Sequence, residues 1–227
     1  MISLILAAAF FVGIHVFISG TKLRDRLVAQ LGAQGFQGFF SLLSLVGLAW
    51  LGSAYGRAPS IDLWGKALAF RPAAMVLVLL AFVFVGVGLT TTSPTAVGGE
   101  AQLDQAEAAR GILRITRHPF LWGVALWALT HLILNGDAAS LVLFGSLLLL
   151  ALVGPLSIDA KRQRVFGSKW ARFAAVTSNV PFVAIVQGRN VLKLGELGLW
   201  RIAVGLAAYV ALLLSHHWLF GVSAFPI

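Results

Sequence analysis

The chain has 227 residues, of which 59% are hydrophobic and only 11% are charged, and it contains no cysteine. Soluble domains carry roughly 25% charged residues, so this composition excludes an ordinary soluble protein. The missing cysteines exclude disulfides, thiolate chemistry and cysteine-ligated zinc or iron–sulfur sites. The net charge of +9 does not indicate a nucleic-acid partner, because the basic residues lie in short segments between apolar runs.

Six apolar runs are each near the length needed to cross a hydrocarbon core, which takes about 20 helical residues. Charged residues, glycine or proline bound each run. In chain order, the predicted transmembrane helices are 2–19, 36–55, 73–92, 119–135, 138–156 and 199–219. The first run has neither a basic segment before it nor a cleavage site after it, so we do not expect a cleaved signal peptide. The sequence predicts an all-α, polytopic transmembrane helical bundle that forms one domain over residues 1–227.

Two segments between the predicted spans have recognisable features. Asn135-Gly136-Asp137 is a turn signal short enough to join the fourth and fifth spans in a tight antiparallel hairpin. Residues 160–198 combine a basic stretch with a less polar piece that Pro181 interrupts. We expect a cytoplasmic helix followed by an interfacial or re-entrant piece in contact with anionic lipid headgroups.

Basic residues are unevenly distributed between the two sides of the predicted bundle. The segments after the first, third and fifth spans contain 13 lysines and arginines, whereas the segments on the opposite side contain three. Lysine and arginine are retained on the cytoplasmic side of a membrane. We therefore predict that both termini are non-cytoplasmic.

Ionisable side chains at membrane depth are costly, which makes them the first candidates for function. His15 lies in the first span, His118 opens the fourth span, His131 lies late in the fourth span, and His216 and His217 end the sixth. Imidazole ligates metals, carries protons near neutral pH and can hold a haem iron. The alternative for His15 and His131 is a hydrogen bond to a neighbouring helix, and for the last two it is anchoring at the interface.

A basic motif, Arg117-His118-Pro119, opens the fourth span. Proline is suited to a first helical turn, where its missing N–H has no intrahelical partner anyway. The amides at this helix end can bind an anionic group such as a carboxylate or a haem propionate, and ordinary anchoring is the alternative. Asp159 is expected to form an ion pair with Arg162 or with Arg117. An ordinary ion pair on the protein surface is the simpler interpretation of this residue.

Many of these residues belong to one ordered arrangement. It comprises Gly111 to Pro119, Trp122-Gly123, Trp127, His131, Asn135-Gly136-Asp137, Asp159, Phe166-Gly167, Trp170 and Thr177 to Phe182, together with His15, Ser19-Gly20, Arg24, Tyr55 and Pro59. This arrangement resembles the NnrU family of bacterial membrane proteins over nearly the whole chain. The resemblance implies a multi-pass protein of the bacterial inner membrane that is associated with denitrification and nitric oxide metabolism.

The plant and cyanobacterial 15-cis-zeta-carotene isomerases are similar to the same family, and they are membrane haem b proteins whose iron takes histidine ligands. The resemblance implies haem b, with His15 and His131 as axial ligands and Arg114 or Arg117 near the propionates. The predicted spans separate the two histidines in depth by roughly 12 Å, which makes His15 with His118 an alternative pair.

One position departs from the isomerase pattern. The isomerases have a redox-switching cysteine three residues before the second histidine, where this chain has Ala128. The resemblance therefore does not carry isomerisation by ligand exchange over to this chain, whereas bis-histidine haem binding is compatible with the sequence.

A more distant similarity leads to isoprenylcysteine carboxyl methyltransferases and phospholipid methyltransferases, in which an Arg-His-Pro motif helps bind S-adenosylmethionine. Arg117-His118-Pro119-Phe120 matches that motif, and only Asp159 represents the usual acidic partner. Methyl transfer from S-adenosylmethionine to a hydrophobic or lipid-like substrate is the alternative enzymatic function. The non-enzymatic alternatives are an assembly factor for respiratory complexes and a small-molecule transporter.

Overall fold

The computed structural model describes residues 1–19 and 21–225, and in this part of the chain helices are joined by loops, with one isolated β-bridge and no strand. The α-helices are α1 (Ile2–Gly13), α2 (Lys22–Gly56), α3 (Arg71–Thr90), α4 (Pro119–Asn135), α5 (Ala138–Phe166), α6 (Ser168–Val176), α7 (Val183–Val186) and α8 (Leu199–Phe220). A π-helical turn, Ile14–Ser19, follows α1. Gly20, part of the N-terminal motif, lies outside the described residues. The predicted all-α helical bundle is confirmed.

Each of the six predicted spans is helical. The helices that contain the second, third, fifth and sixth predicted spans are long and apolar enough to cross a membrane, and the other two are shorter apolar helices. On α8, Trp218 is 90% exposed and Leu214 is 69% exposed. Contact between such apolar side chains and lipid tails costs no free energy, whereas their contact with water is unfavourable. The chain is a multi-pass membrane protein, and the side that each terminus faces stays a prediction.

Two helices extend beyond the predicted spans. The helix predicted to begin at 36 begins at Lys22, with a break at Gly32, whose φ of +72° is readily available only to glycine. The helix predicted to end at 156 continues to Phe166, so Pro155 lies inside the helix and does not end it. Membrane helices tolerate an internal proline where neighbouring groups satisfy the freed carbonyl. The basic stretch predicted as a separate helix is therefore divided between α5 and α6.

Packing divides the chain into two compact units, and the first consists of residues 1–67 and 131–150. Its core includes Leu4 and Ala7 of α1, Leu51 of α2 and Ala139 of α5. Small side chains at such contacts let helix backbones approach closely without the help of water. The prediction of a single domain over residues 1–227 stays a prediction.

The predicted turn between the fourth and fifth spans is confirmed within this first unit. Gly136 has a φ of +63°, and its carbonyl accepts the backbone N–H groups of residues 63–65 at 2.9 to 3.2 Å. Asp137 accepts the backbone N–H of Ser140 at 2.9 Å, as an N-terminal capping residue does. A glycine is required at 136, since an added Cβ would lie 2.0 Å from the carbonyl oxygen of Gly65.

The second unit consists of residues 68–130 and 151–227. Its core contains Val87, Leu113, Trp170 and Phe173. Within it, α3 and α8 approach each other closely, because a Cβ added at Gly86 would lie 2.6 Å from the Cα and N atoms of Gly205. This unit also holds the Arg-His-Pro motif and most of the polar clusters described below.

Candidate functional site

The Arg117-His118-Pro119 motif forms a largely buried cluster with Asp159. Pro119 begins α4, so Arg117 and His118 directly precede the helix, as predicted. Nε2 of His118 lies 2.7 Å from Oδ1 of Asp159, and Arg117 donates Nε and Nη2 to Oδ2 at 2.9 and 2.6 Å. The exposed fractions of the side chains are 1% for His118, 14% for Arg117 and 18% for Asp159. Asp159 therefore pairs with Arg117, one of the two predicted partners, but the pair is not a surface ion pair.

The segment that follows α6 fixes the backbone of this motif. The hydroxyl of Thr116 donates to the carbonyl of Asn179 and accepts the N–H of His118. The N–H of Arg117 donates to the carbonyl of Ser178 at 3.0 Å. Sequence reasoning assigned no role to this Thr-Ser-Asn segment; its polar composition directly after a short helix is the signal that marks it.

Burial favours the neutral form of His118. Burial lowers its pKa below the ordinary value, and the charge of Arg117 acts in the same direction, whereas the hydrogen bond and charge of Asp159 oppose them. A carboxylate only accepts, so Nε2 of the neutral ring carries the proton and Nδ1 keeps a lone pair. A carboxylate that holds an imidazole in this way orients histidines that act as ligands or as bases.

Methyl transfer, the alternative enzymatic function, would use these same residues. Arg117 directs two donors at Asp159, and His118 directs Nε2 at its other oxygen. The carboxylate of S-adenosylmethionine would have to compete with Asp159 for these donors. This function stays a prediction.

Arg114 lies in a second ion-pair network. It donates Nε and Nη2 to the two oxygens of Glu196 at 2.8 and 3.0 Å, and Nη1 to Asn190 at 2.7 Å. Glu107 also accepts from Nη2, and the N–H of Gly111 donates to Glu196 at 2.9 Å. All three guanidinium nitrogens of Arg114 are thus engaged within the chain. Its predicted contact with a haem propionate stays a prediction.

The stability of the protein is expected to fall as Glu196 is protonated. Hydrogen bonds from Arg114 and from the backbone of Gly111 lower the pKa of Glu196 from 4.5 to about 2, against the effect of burial. A lowered carboxylate pKa stabilises the folded state above the unfolded value, and this contribution disappears as the pH falls through the folded value. Thermal unfolding in detergent between about pH 5 and pH 2 should therefore show a steeper loss of stability for the wild type than for Glu196→Gln.

Asp25→Asn is the control for this titration, since Asp25 is exposed and lies 3.5 Å from Arg24. We expect its pH profile to follow that of the wild type. Parallel profiles for the wild type and Glu196→Gln would contradict the role of Glu196.

His15 lies in the π-helical turn after α1. Its Nδ1 lies 2.8 Å from the carbonyl oxygen of Phe11. Since a carbonyl only accepts, Nδ1 carries the proton of the neutral ring and Nε2 keeps its lone pair. The imidazole also contacts the rings of Phe11 and Phe40, with centroids 4.5 and 5.2 Å away. Single π-helical turns occur frequently at functional sites.

His131 lies in a different part of the same unit. Its ring stacks on Phe144 at 5.1 Å, and Phe144 contacts Tyr55 at 5.9 Å. Tyr55 and Phe40, the α2 residues next to the two histidine sites, are 15 residues apart. This separation corresponds to about 22 Å along the helix.

Two axial ligands of one iron would need their nitrogens on opposite sides of one metal, each about 2 Å away. The pairing of His15 with His131 on one iron stays a prediction.

The remaining predicted residues have other partners. Arg162, the second predicted partner of Asp159, donates to Glu100 at 2.8 Å instead. His216, at the end of α8, has Nδ1 2.8 Å from the carbonyl oxygen of Val222. Among the described residues, no group of three or more histidine, cysteine, aspartate or glutamate side chains could hold a metal ion.

Comparisons with known proteins agree with the resemblance seen in the sequence. A family model described as NnrU protein matches residues 3–224. The chloroplastic 15-cis-zeta-carotene isomerases of Arabidopsis thaliana and Zea mays are 34% and 33% identical to the chain over 82 residues. Each match covers 36% of this chain and only 22% of the isomerase. No solved structure matches the chain.

Proposed function

The chain belongs to the NnrU family, and from that premise we propose that it is a haem b membrane protein with isomerase-like chemistry, in which His15 ligates the iron. The similarity to 15-cis-zeta-carotene isomerases supports an isomerase-like or NnrU-type function in the membrane. The observation that carries the proposal is the hydrogen bond between Nδ1 of His15 and the carbonyl of Phe11. It selects the tautomer whose Nε2 is free to ligate, as in many metal-binding histidines.

The surroundings of His15 fit a flat apolar macrocycle. Phe11 and Phe40 contact the imidazole, and Phe36 stacks on Phe40 at 5.8 Å. The guanidinium of Arg24 lies over the ring of Phe36 at 5.4 Å. Aromatic rings pack against a porphyrin face, and a guanidinium pairs with a carboxylate. Arg24 is therefore a better candidate partner for a haem propionate than Arg114 or Arg117, because its pair with the exposed Asp25 is long, at 3.5 Å, whereas Arg114 and Arg117 donate to carboxylates at 2.6 to 3.0 Å.

When bound, haem b would supply a redox-active iron that can take up a diatomic molecule such as nitric oxide. The chain would contribute the imidazole of His15 as a ligand, the aromatic packing and the cation of Arg24. Val16 and Phe17 on the same π-helical turn are 40% and 69% exposed. Since that turn follows an apolar helix, a hydrophobic or lipid-like substrate can reach it from the bilayer. Both the association with nitric oxide metabolism and the isomerase-like chemistry belong to this proposal.

The optical spectrum of the purified protein loaded with haem b tests the ligand. We expect a Soret band that is lost in His15→Ala and restored by added imidazole, because imidazole refills the vacated ligand position only if the fold is intact. His131→Ala and the control His216→Ala should keep the band. Arg24→Gln should weaken haem binding by about tenfold, the effect of one charge-assisted hydrogen bond.

Full haem occupancy in His15→Ala would refute ligation by His15. Loss of the band in both His15→Ala and His131→Ala would instead support the pairing predicted from the resemblance. Loss in His118→Ala together with His15→Ala would support the alternative pair.

A further inference from the structure

A cavity of about 340 Å³ lies in the second unit, between the end of α3 and the start of α8. Thr91 and Thr92, which follow α3, line it together with Arg110 and with Arg201 from the first turn of α8. Its volume lies at the lower end of the range for small-molecule sites, about 300–1,000 Å³. The cavity shares no residue with the proposed haem site.

Two buried polar atoms in the wall of this cavity have no hydrogen-bond partner. They are the hydroxyl oxygen of Thr91 and Nε of Arg201, and among the described residues only one other buried side-chain atom, Oγ of Ser44, is in the same condition. Buried donors without acceptors are costly and rare in native proteins. Both atoms are closed off from solvent, but both residues line the same cavity, so a bound acceptor would satisfy the two atoms once their side chains turn toward it.

The chain supplies no free carboxylate for the arginines of this cavity. Every acidic side chain described in the second unit already pairs with another cation: Glu100 with Arg162, Asp104 with Lys169, Glu107 and Glu196 with Arg114, and Asp159 with Arg117. Glu196 also lines the cavity, but its oxygens accept from Arg114 and from the backbone of Gly111. Because Glu196 is engaged in this way, Arg110 and Arg201 leave the cavity with an excess of positive charge.

The position of Arg201 on its helix strengthens this imbalance. A cation in the first turn of a helix opposes the helix dipole, whereas an anion near that turn is stabilised by it. The guanidinium of Arg201 lies over the ring of Trp200 at 5.3 Å, and that ring accepts no strong hydrogen bond. An anion in the cavity would interact favourably with the dipole of α8, and it would supply the hydrogen-bond acceptor that Nε of Arg201 lacks.

We propose that this cavity binds an anionic phosphoryl group, with Arg201 and Arg110 as its cationic ligands and the hydroxyl of Thr91 as a further donor. A guanidinium presents parallel N–H groups that match two phosphate oxygens. Donors from three side chains suit a tetrahedral group with several oxygens. The phosphoryl group belongs either to a lipid headgroup or to a soluble phosphate, since both offer the same acceptors.

Thermal unfolding of the full-length protein in detergent tests the proposal. One arm adds inorganic phosphate, and the other adds mixed micelles that contain phosphatidylglycerol, with phosphatidylcholine as the comparison. We expect a saturable rise in Tm with at least one of the two anionic probes. A rise with phosphate assigns a soluble ligand, and a rise with phosphatidylglycerol alone assigns a lipid.

The variants identify the site. Arg110→Gln and Thr91→Val should each raise the half-saturating probe concentration, Arg110→Gln by about tenfold, as for the loss of one charge-assisted hydrogen bond. Arg110 is exposed and Thr91→Val keeps the side-chain shape, so both should fold even if Arg201→Gln does not. Arg172→Gln is the control, because Arg172 is also exposed but lines a different cavity. No saturable rise with either probe, or an unchanged response in Arg110→Gln and Thr91→Val, would overturn the proposal.

Discussion

Asp159→Ala is expected to destabilise the protein by about 3–5 kcal/mol, the usual cost of removing one partner from a buried ion pair. The substitution would leave the guanidinium of Arg117 without a counterion and Nε2 of His118 without its acceptor, although both side chains are largely buried. Reversible unfolding in detergent, followed by helical circular dichroism, measures the change in the free energy of unfolding.

Asp104→Ala is the matched control for this substitution. It removes the carboxylate that pairs with Lys169, and both of those side chains are at least half exposed. Exposed pairs contribute about 0–1 kcal/mol, so we expect little change. The double variant Arg117→Met with Asp159→Leu should recover much of the lost stability, because it removes both charges. Equal losses in Asp159→Ala and Asp104→Ala would contradict the burial of the cluster.

Gly205→Ala is expected to destabilise the crossing of α3 and α8 by about 1–3 kcal/mol, the typical cost of overpacking. The added Cβ would lie 2.6 Å from the carbonyl oxygen of Phe82 and 2.9 Å from the Cα of Val83. Both neighbours are backbone atoms, so the clash is relieved only if the helices separate. The free energy of unfolding in detergent measures the effect.

Gly52→Ala in α2 is the control, because a Cβ there would meet nothing within 4 Å. Alanine favours a helix over glycine by roughly 0.5–1 kcal/mol, so this variant should be neutral or slightly more stable. The same destabilisation in both variants would contradict a specific close approach at Gly205.

The positions of the helices were predictable because apolar runs of membrane length have few alternatives to helix formation in lipid. The ends of the helices were harder to predict. Pro155 signals an end in the sequence, yet α5 continues beyond it and carries Asp159 to Arg117. Helix continuation past a proline depends on tertiary contacts, which a local pattern does not contain. The break at Gly32 was likewise hidden inside an otherwise helical segment.

The candidate site was only partly predictable for the same reason. The sequence pointed to His15, and the difference in depth from His131 followed from helix rise alone. The tautomer of His15 follows from a bond to Phe11 within a π-helical turn, a local geometry that the apolar sequence does not indicate. The cavity near Arg201 also had no sequence signal, because its significance depends on which carboxylates the other cations use.

The spin state of the ferric haem tests single ligation by His15 most directly. Electron paramagnetic resonance of the purified, haem-loaded protein distinguishes an iron with one imidazole from an iron with two. With His15 as the one protein ligand, we expect a high-spin ferric signal that converts to low spin when imidazole is added. A low-spin bis-imidazole signal without added imidazole would contradict it.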